Sequence, residues 1–225
     1  MDIRLLKKVP LFSELKDDVL EKIAFLLQRR NYKKNNMILI EEDFGDSLFF
    51  INKGKVKVTR ISEDGREVIL SILSEGDFFG EMSILDGETR SANVISMDES
   101  EVFVLKRGDF LNLLERYPKI AISLLQELAM RLRKSDQQIE SLSLSDAENR
   151  VAQVILRLAA DIGKHKLGQV VIEDLPLQQD LANMAGTSRE TISRMLKLFS
   201  RKEYIRKEGR RLTILNYELF KNKFS

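Results

Sequence analysis

Short runs in which apolar and polar residues alternate occupy the stretch from Met37 to Lys106, and turn residues separate them. Alternation with a period of two is typical of half-buried strands. Strands are therefore predicted at Met37–Glu42, at Ser47–Asn52, around Val56 and Val58, at the alternating Val68, Leu70 and Ile72, at Ser91–Ser96 and at Glu101–Leu105. About seven short strands in so little sequence indicate an antiparallel roll or barrel, preceded by a helix that contains Val19 and Ile23.

A pattern with helical spacing follows, from about Arg107 or Pro118 to Leu142. Its apolar stripe consists of positions separated alternately by three and four residues, namely Leu125, Leu128, Leu132, Ser135, Ile139 and Leu142. This is the a/d spacing of a coiled coil, so the stripe predicts a homodimer. The alternative is that the stripe packs on the chain's own roll. Ser135 is a polar residue in the middle of this stripe, the seam of the predicted coiled coil. A polar side chain at such a position either sets the register of the two helices or touches a ligand.

A new helix is predicted to begin at Ser145-Asp146-Ala147-Glu148. This run has the form of a capping box, in which the Ser145 hydroxyl and the Glu148 carboxylate satisfy free backbone N–H groups. Apolar residues continue with helical spacing to Ile162, and Gly163 ends the helix. The break at 143–145 is the predicted hinge.

Two further helices with a tight turn between them are predicted near the C-terminus. Leu177–Ala185 and Arg189–Phe199 flank Gly186-Thr187-Ser188, where Gly186 permits a left-handed backbone and Ser188 can cap the second helix. Ile192, Leu196 and Phe199 form the apolar face of that second helix. Two short strands after it, Tyr204–Arg206 and Arg211–Leu215, predict a small basic wing.

The 225-residue chain has a net charge of only +2, but the basic residues are unevenly placed. Residues 146–225 hold 15 Lys and Arg against 10 Asp and Glu, and residues 186–211 hold nine against three. Such a cluster is what a polyanion-binding face requires, although a basic run is also compatible with an ordinary solvated surface.

Composition excludes several classes of site. There is no Cys and only one His, His165, which is predicted to lie in a surface loop. Disulfides, thiolate catalysis, iron–sulfur clusters and multi-His metal sites are therefore excluded, no metal is expected, and no enzymatic activity is predicted. The sequence shows no membrane span and no secretory signal, so a cytoplasmic location is expected.

The first turns of the second helix carry side chains suited to a DNA major groove. Arg can donate two hydrogen bonds to guanine, and Glu can accept one from cytosine. The run Gly186-Thr187-Ser188-Arg189-Glu190-Thr191-Ile192-Ser193-Arg194 resembles the winged helix-turn-helix of the cyclic-AMP receptor protein (catabolite activator) and fumarate–nitrate regulator superfamily of bacterial transcription regulators, which serves as a standard example of the motif.

This resemblance implies that Arg189, Glu190 and Arg194 contact base edges in half-sites related to TGTGA. It also implies a wider set of DNA-binding residues, which are Gln179, Thr187, Ser188, Ser193, Lys197, Lys207 and Arg210. Leu177 and Gln178 stand where the family archetype has phosphate-contacting Thr and Arg, so fewer backbone contacts are expected there.

The segment Phe79–Ala92 lies between two predicted strands and combines Gly80, Arg90 and the small Ser91-Ala92 pair. A buried phosphodiester needs a cation, close N–H donors and little side-chain obstruction. The segment is similar to the phosphate-binding cassette of cyclic-nucleotide-binding domains. By that resemblance Gly80 and Glu81 hold a ribose, and Arg90, Ser91 and Ala92 hold the cyclic phosphate. The alternative is an empty pocket in which Arg90 pairs with a carboxylate such as Glu81.

In the family archetype two adjacent residues of the dimer helix meet the base, and they correspond here to Ser135 and Asp136. Ser135 fits the pattern, whereas Asp136 departs from it, since a carboxylate can accept hydrogen bonds from either adenine or guanine. Cyclic AMP is the expected effector and cyclic GMP the second choice. Asp136 could also be a solvated residue beside the seam.

The sequence thus predicts an α+β protein with a β-roll domain at 1–115 that resembles cyclic-nucleotide-binding domains, a dimerisation helix and hinge at 116–144, and a winged helix-turn-helix at 145–225. The expected function is that of a homodimeric regulator that binds a pseudo-palindromic double-stranded DNA operator under cyclic-nucleotide control and contacts RNA polymerase. The alternatives are a ligand-independent regulator of the same fold and a nucleotide-sensing adaptor that lacks specific DNA binding.

Overall fold

The computed structural model describes residues 3–224, with side chains from residue 5 onward. The chain divides into two compact units, Met1–Arg133 and Lys134–Ser225. Both units have the predicted mixed architecture, in which β-sheets are accompanied by helices.

The N-terminal unit is a roll of eight antiparallel strands. Helices α1 (Ile3–Leu6) and α2 (Asp17–Leu26) precede it, with a 3-10 turn at Pro10–Phe12 between them. The strands are β1 (Gln28–Tyr32), β2 (Met37–Leu39), β3 (Ser47–Lys53), β4 (Val56–Ile61), β5 (Glu67–Leu73), β6 (Phe78–Phe79), β7 (Asn93–Ser96) and β8 (Ser100–Lys106). They form two sheets with the orders β1-β8-β3-β6 and β2-β7-β4-β5. The predicted antiparallel roll is confirmed.

Two of the strands differ from the predicted ones. The alternation in the sequence did not reveal β1, because its residues are almost all exposed and polar and it pairs along one edge only. The pairing of β5 with β4 shifts register between Val58 and Thr59 of β4, which marks a bulge in β5. Ile69 and Ile72 are therefore buried, whereas Val68 and Leu70 are exposed. The prediction that Val68, Leu70 and Ile72 alternate along one face was therefore wrong, because a bulge changes the phase of the strand.

Two further helices belong to the N-terminal unit, and the long helix α5 continues from it into the C-terminal unit. Helix α3 (Met82–Asp86) lies in the loop between β6 and β7, and α4 (Arg107–Arg116) follows β8 directly. The long helix α5 (Pro118–Leu144) starts after a break at Tyr117, so the predicted long helix begins at Pro118 rather than at Arg107. Phe110, Ile120 and Leu124 of α4 and α5 are buried in the same cluster as residues of α2 and β3.

Most of the predicted seam on α5 is left uncovered within the chain. Leu125 is 65% exposed, and Leu132 and Ile139 are each 63% exposed. Only Leu128 packs partly against the core of the roll. The alternative in which the whole stripe packs on the chain's own roll is therefore wrong, and a row of large apolar side chains remains without cover from the described part of the chain.

The C-terminal unit contains the predicted helix-turn-helix and wing. Its elements after α5 are α6 (Ala147–Ile162), β9 (Lys164–Lys166), β10 (Gln169–Ile172), α7 (Gln178–Ala185), α8 (Arg189–Arg201), β11 (Ile205–Glu208), β12 (Arg211–Ile214) and α9 (Tyr217–Phe224). The four strands form one antiparallel sheet with the order β11-β12-β10-β9. His165 is exposed as predicted but lies in strand β9 rather than in a loop, because the left-handed pair Leu167-Gly168 closes a hairpin.

The start of α6 also differs from the prediction. Asp146, not Ser145, is the cap residue, and its carboxylate accepts a hydrogen bond from the backbone N–H of Asn149 at 2.8 Å. The Ser145 side chain makes no hydrogen bond within residues 3–224. The predicted capping box therefore does not form. A single cap lies one residue later, because a carboxylate is an equally good cap, and Glu148 instead pairs with Lys202 at 3.2 Å. Gly163 ends α6 as predicted.

We expect Asp146→Ala to lower the free energy of unfolding by about 1 kcal/mol, because one N–H group of α6 loses its acceptor. Ser145→Ala is the matched control and should change it by less than about 0.5 kcal/mol. Urea unfolding of the full chain, followed by far-ultraviolet circular dichroism, measures both. A larger loss in Ser145→Ala than in Asp146→Ala would contradict the assignment of the cap.

Candidate ligand pocket and nucleic-acid interface

The loop between β6 and β7 closes around the side chain of Arg90. This guanidinium is 6% exposed and donates hydrogen bonds to Gly80 O at 2.7 Å, to Ser83 Oγ at 2.8 Å and to Ser47 O at 2.8 Å. A guanidinium carries five N–H donors, so two of them have no acceptor within residues 3–224. The loop therefore holds a buried cation that still has donors to offer to an anion.

The Arg90 guanidinium affects both the charge of the loop between β6 and β7 and the residue that the backbone can accept at Gly80. Burial lowers the pKa of Arg90, and the nearby charges of Asp46 and Glu81 act in the opposite direction. Arginine remains protonated in proteins, so the site is positive. Gly80 adopts φ +84°, and a Cβ there would lie 2.7 Å from Arg90 Nη1. Only glycine fits this backbone position beside the guanidinium.

Glu81 is held by a residue that the sequence analysis did not identify. Its carboxylate, 5% exposed, accepts a hydrogen bond from Arg131 Nη1 of α5 at 2.9 Å. Arg131 also donates to Phe78 O at 2.6 Å, and its guanidinium lies 4.4 Å from the centre of the Phe78 ring. The alternative in which Arg90 pairs with Glu81 is wrong, because Arg90 bonds to carbonyl and hydroxyl oxygens and Glu81 bonds to Arg131.

The other predicted ligand residues differ in exposure. Ala92 is buried, whereas Ser91 is exposed and its hydroxyl lies 3.5 Å from Met82 Sδ. Ser135 and Asp136 are exposed residues of α5 and belong to the C-terminal unit. Gly80, Glu81, Arg90, Ser91 and Ala92 all belong to the N-terminal unit.

In the C-terminal unit, local geometry fixes the helix-turn-helix. Gly186 ends α7 in the left-handed conformation with φ +57°, and the Ser188 hydroxyl caps α8 by accepting from the Thr191 N–H. Ile192, Leu196 and Phe199 are buried, and the Phe199 ring packs against aromatic rings of α9. The opposite face of α8 is thereby held towards solvent.

That exposed face forms an open groove with charged walls. Its lining residues are Gln178, Arg189, Glu190, Ser193, Arg194, Lys197 and Arg201. Within residues 3–224 none of the four cations in this lining has an ion pair or a hydrogen bond. Four cations against one carboxylate leave the groove strongly positive.

The cations of the wing are arranged differently. Arg210 pairs with Asp174 at 2.9 Å and also donates to Leu175 O. Arg211 pairs with Glu173 at 3.4 Å. Lys207 donates to Gly209 O at 2.6 Å. Gln179, another predicted DNA-binding residue, donates to Asn183 Oδ1. Three of the four wing cations thus already bond to protein groups, whereas Arg206 and the four cations of the α8 groove have no ion pair or hydrogen bond among the described residues.

Residues 3–224 contain neither a candidate metal site nor a candidate membrane span. No group of three or more His, Cys, Asp or Glu side chains is arranged to hold a metal ion. No helix there has the length and apolar character needed to cross a bilayer.

Comparison with known proteins assigns both units. The family model of the cyclic nucleotide-binding domain matches residues 29–117, and that of the Crp-like helix-turn-helix domain matches residues 149–222. The chain is 36% identical to a protein of Thermus thermophilus named cyclic AMP receptor protein, over 89% of this chain and 90% of the relative. It is 30% identical to a Mycobacterium tuberculosis protein named CRP-like cAMP-activated global transcriptional regulator, over 95% and 96% respectively.

Solved structures show the same fold. The catabolite activator protein of Thermus thermophilus is 32% identical, with a TM-score of 0.55, and the match covers 96% of this chain and 98% of the other. FixK2 from Bradyrhizobium japonicum has a higher TM-score, 0.78, at 22% identity, and covers 87% of this chain and 96% of its own.

The packing of Arg90 predicts the effect of a small substitution. A Cβ at Gly45 would overlap with Arg90 Nε, so Gly45→Ala should displace the hydrogen-bonded guanidinium and cost about 1–3 kcal/mol of unfolding free energy. Gly108→Ala in α4 is the control, because nothing lies within 4 Å of its Cβ; it should be neutral or stabilise by up to about 1 kcal/mol. Urea unfolding measures both, and a Gly45→Ala variant as stable as the unsubstituted chain would contradict the packing.

Proposed function

Because the chain belongs to the Crp/Fnr family of transcription regulators, we propose that it is a homodimer that binds a pseudo-palindromic operator and is switched by a cyclic nucleotide. The observation that carries the DNA-binding part is the row of cations without partners on the exposed face of α8. We assign residues 1–115 to effector binding, 116–144 to dimerisation and the hinge, and 145–225 to DNA binding.

In this proposal α8 enters the major groove. Arg189, Glu190 and Arg194 contact base edges of TGTGA-like half-sites, as their donor and acceptor groups allow. Lys197 and the polar residues at the start of α8 support this contact, which adds Gln179, Thr187, Ser188 and Ser193 to the interface. Lys207 and Arg210 must exchange their present protein partners for phosphate oxygens, so we assign them a smaller share of the affinity.

The effector binds in the loop around Arg90. Arg90, Ser91 and Ala92 hold the cyclic phosphate, and Gly80 and Glu81 hold the ribose. The two unused donors of the Arg90 guanidinium fit an anionic diester. We assign base recognition to Ser135 and Asp136, with cyclic AMP as first choice and cyclic GMP as second. The bound nucleotide contributes its phosphate charge beside Arg90 and its base beside Ser135 and Asp136.

Switching requires the nucleotide to bind the DNA-competent arrangement more tightly than the other arrangement. In this proposal the segment 143–145 is the hinge about which the DNA-binding domain moves. Two-fold symmetry of the dimer places two copies of α8 on successive major grooves, about 34 Å apart. The chain has no enzymatic role here, and RNA polymerase is its further partner.

One observation favours a second candidate, a ligand-independent regulator of the same fold. Arg90 already has three protein acceptors, so its burial does not require a ligand. A nucleotide-sensing adaptor without specific DNA binding is less favoured, because the unpaired cations of α8 then have no role.

Calorimetry followed by DNA titration tests the proposal. Nucleotide-free protein should bind cyclic AMP, and it should bind a duplex with inverted TGTGA half-sites tightly only when the nucleotide is present. Arg90→Leu should lose both properties, because the cyclic phosphate loses its cation, while circular dichroism confirms that the variant is folded. Tight binding by nucleotide-free protein, unchanged in Arg90→Leu, would establish the ligand-independent candidate. Equal binding of inverted and scrambled duplexes, with nucleotide bound, would establish the adaptor.

The dimer is tested on the seam of α5. Sedimentation equilibrium should give twice the mass of the 26.0 kDa chain, and the double variant Leu132→Glu, Ile139→Glu should sediment as a monomer because it places charge in an apolar interface. Gln137→Glu adds charge to an exposed position of the same helix outside the seam and should remain dimeric. A monomeric unsubstituted protein would refute dimerisation through α5.

A further inference from the structure

The groove along α8 extends beyond the residues that the helix-turn-helix resemblance assigns to DNA. Arg201, in the last turn of the helix, lines the same groove as Arg194 and Lys197. These three residues are spaced i, i+3 and i+7, so they share one face of the helix. The positive row therefore runs the full length of α8, from Arg189 to Arg201.

Helix geometry limits what the far end of this row can reach. At about 1.5 Å per residue, Arg189 and Arg201 are roughly 18 Å apart along the axis, whereas the major groove of B-DNA is about 12 Å wide. When only the N-terminal residues of such a helix contact base edges, as in helix-turn-helix proteins, Arg201 lies farther from those contacts than the groove is wide. Beyond the base edges, the next DNA groups are the phosphates that form the walls of the groove, and these are the groups that the Arg201 guanidinium meets.

The neighbouring cation shows why Arg201 stands out. Lys202 is equally close to the end of α8, yet it pairs with Glu148 at 3.2 Å. Arg201 is exposed and has neither an ion pair nor a hydrogen bond among the described residues. Binding a phosphate therefore costs Arg201 no existing contact, unlike Lys202 or the wing residue Arg210.

We propose that Arg201 binds a DNA backbone phosphate at the edge of the half-site and so extends the contact surface of α8 by one helical turn. This inference rests on the proposed DNA-binding function. It makes Arg201 a contributor to affinity and to salt dependence, not to base choice, because phosphates carry no sequence information directly. The wing cations Lys207 and Arg210 contribute less than Arg201 does.

The test compares full-length variants on two duplexes, one with inverted TGTGA half-sites and one with a single base changed in each half-site. Binding is measured over a series of salt concentrations, with cyclic AMP and without it. The plot of log affinity against log salt has a negative slope. Loss of one phosphate contact per half-site makes this slope less steep by about 0.9 for each half-site. Arg201→Ala should show this fall on both duplexes equally, and Arg201→Lys should restore the slope, because the cation is kept.

Lys202→Ala is the matched control, since it removes one adjacent positive charge but no predicted phosphate contact, and its slope should equal that of the unsubstituted protein. An unchanged slope in Arg201→Ala would overturn the inference, as would an equal fall in Lys202→Ala, which would indicate an effect of net charge alone. If the unsubstituted protein does not distinguish the two duplexes from a scrambled one, the proposed function fails instead.

Discussion

A guanidinium removed from water must find acceptors for its N–H groups, and this requirement organises the loop between β6 and β7. Arg90 meets it with Gly80 O, Ser83 Oγ and Ser47 O, which joins three separate segments of the roll. The close approach excludes a side chain at Gly80 and at Gly45. Because two donors remain, the same arrangement that stabilises the loop also prepares it for an anion.

The cations of the α8 groove differ from Arg90 because they have no acceptors among the described residues. On α8 the apolar stripe is buried against aromatic rings, and the charged stripe is left without acceptors. On the wing, Asp174 and Glu173 neutralise Arg210 and Arg211. A surface that must bind a polyanion gains most from cations with no partner to lose, so the affinity we assign to DNA resides mainly on one helix.

Helix α5 carries two different surfaces. Its first turns are buried in the roll through Ile120 and Leu124, whereas Leu125, Leu132 and Ile139 remain exposed. Arg131 precedes the exposed Leu132 directly in sequence and bonds to Glu81. A change in what Glu81 binds would therefore alter a contact of the helix that we assign to dimerisation, which provides a physical link between effector and seam.

The antiparallel roll, the long helix and the winged helix-turn-helix could be predicted from the sequence, because alternation, heptad spacing and the Gly186–Ser188 turn are local signals. Resemblance to a known family also identified Arg90 and the α8 residues as candidate ligand-binding and DNA-binding residues. Only packing between distant segments could pair Glu81 with Arg131, place a bulge in β5 that leaves Ile69 rather than Val68 in the core, and give Arg210 and Arg211 the acidic partners that the α8 groove cations lack. Those outcomes depend on residues far apart in the chain, whose meeting no local pattern encodes.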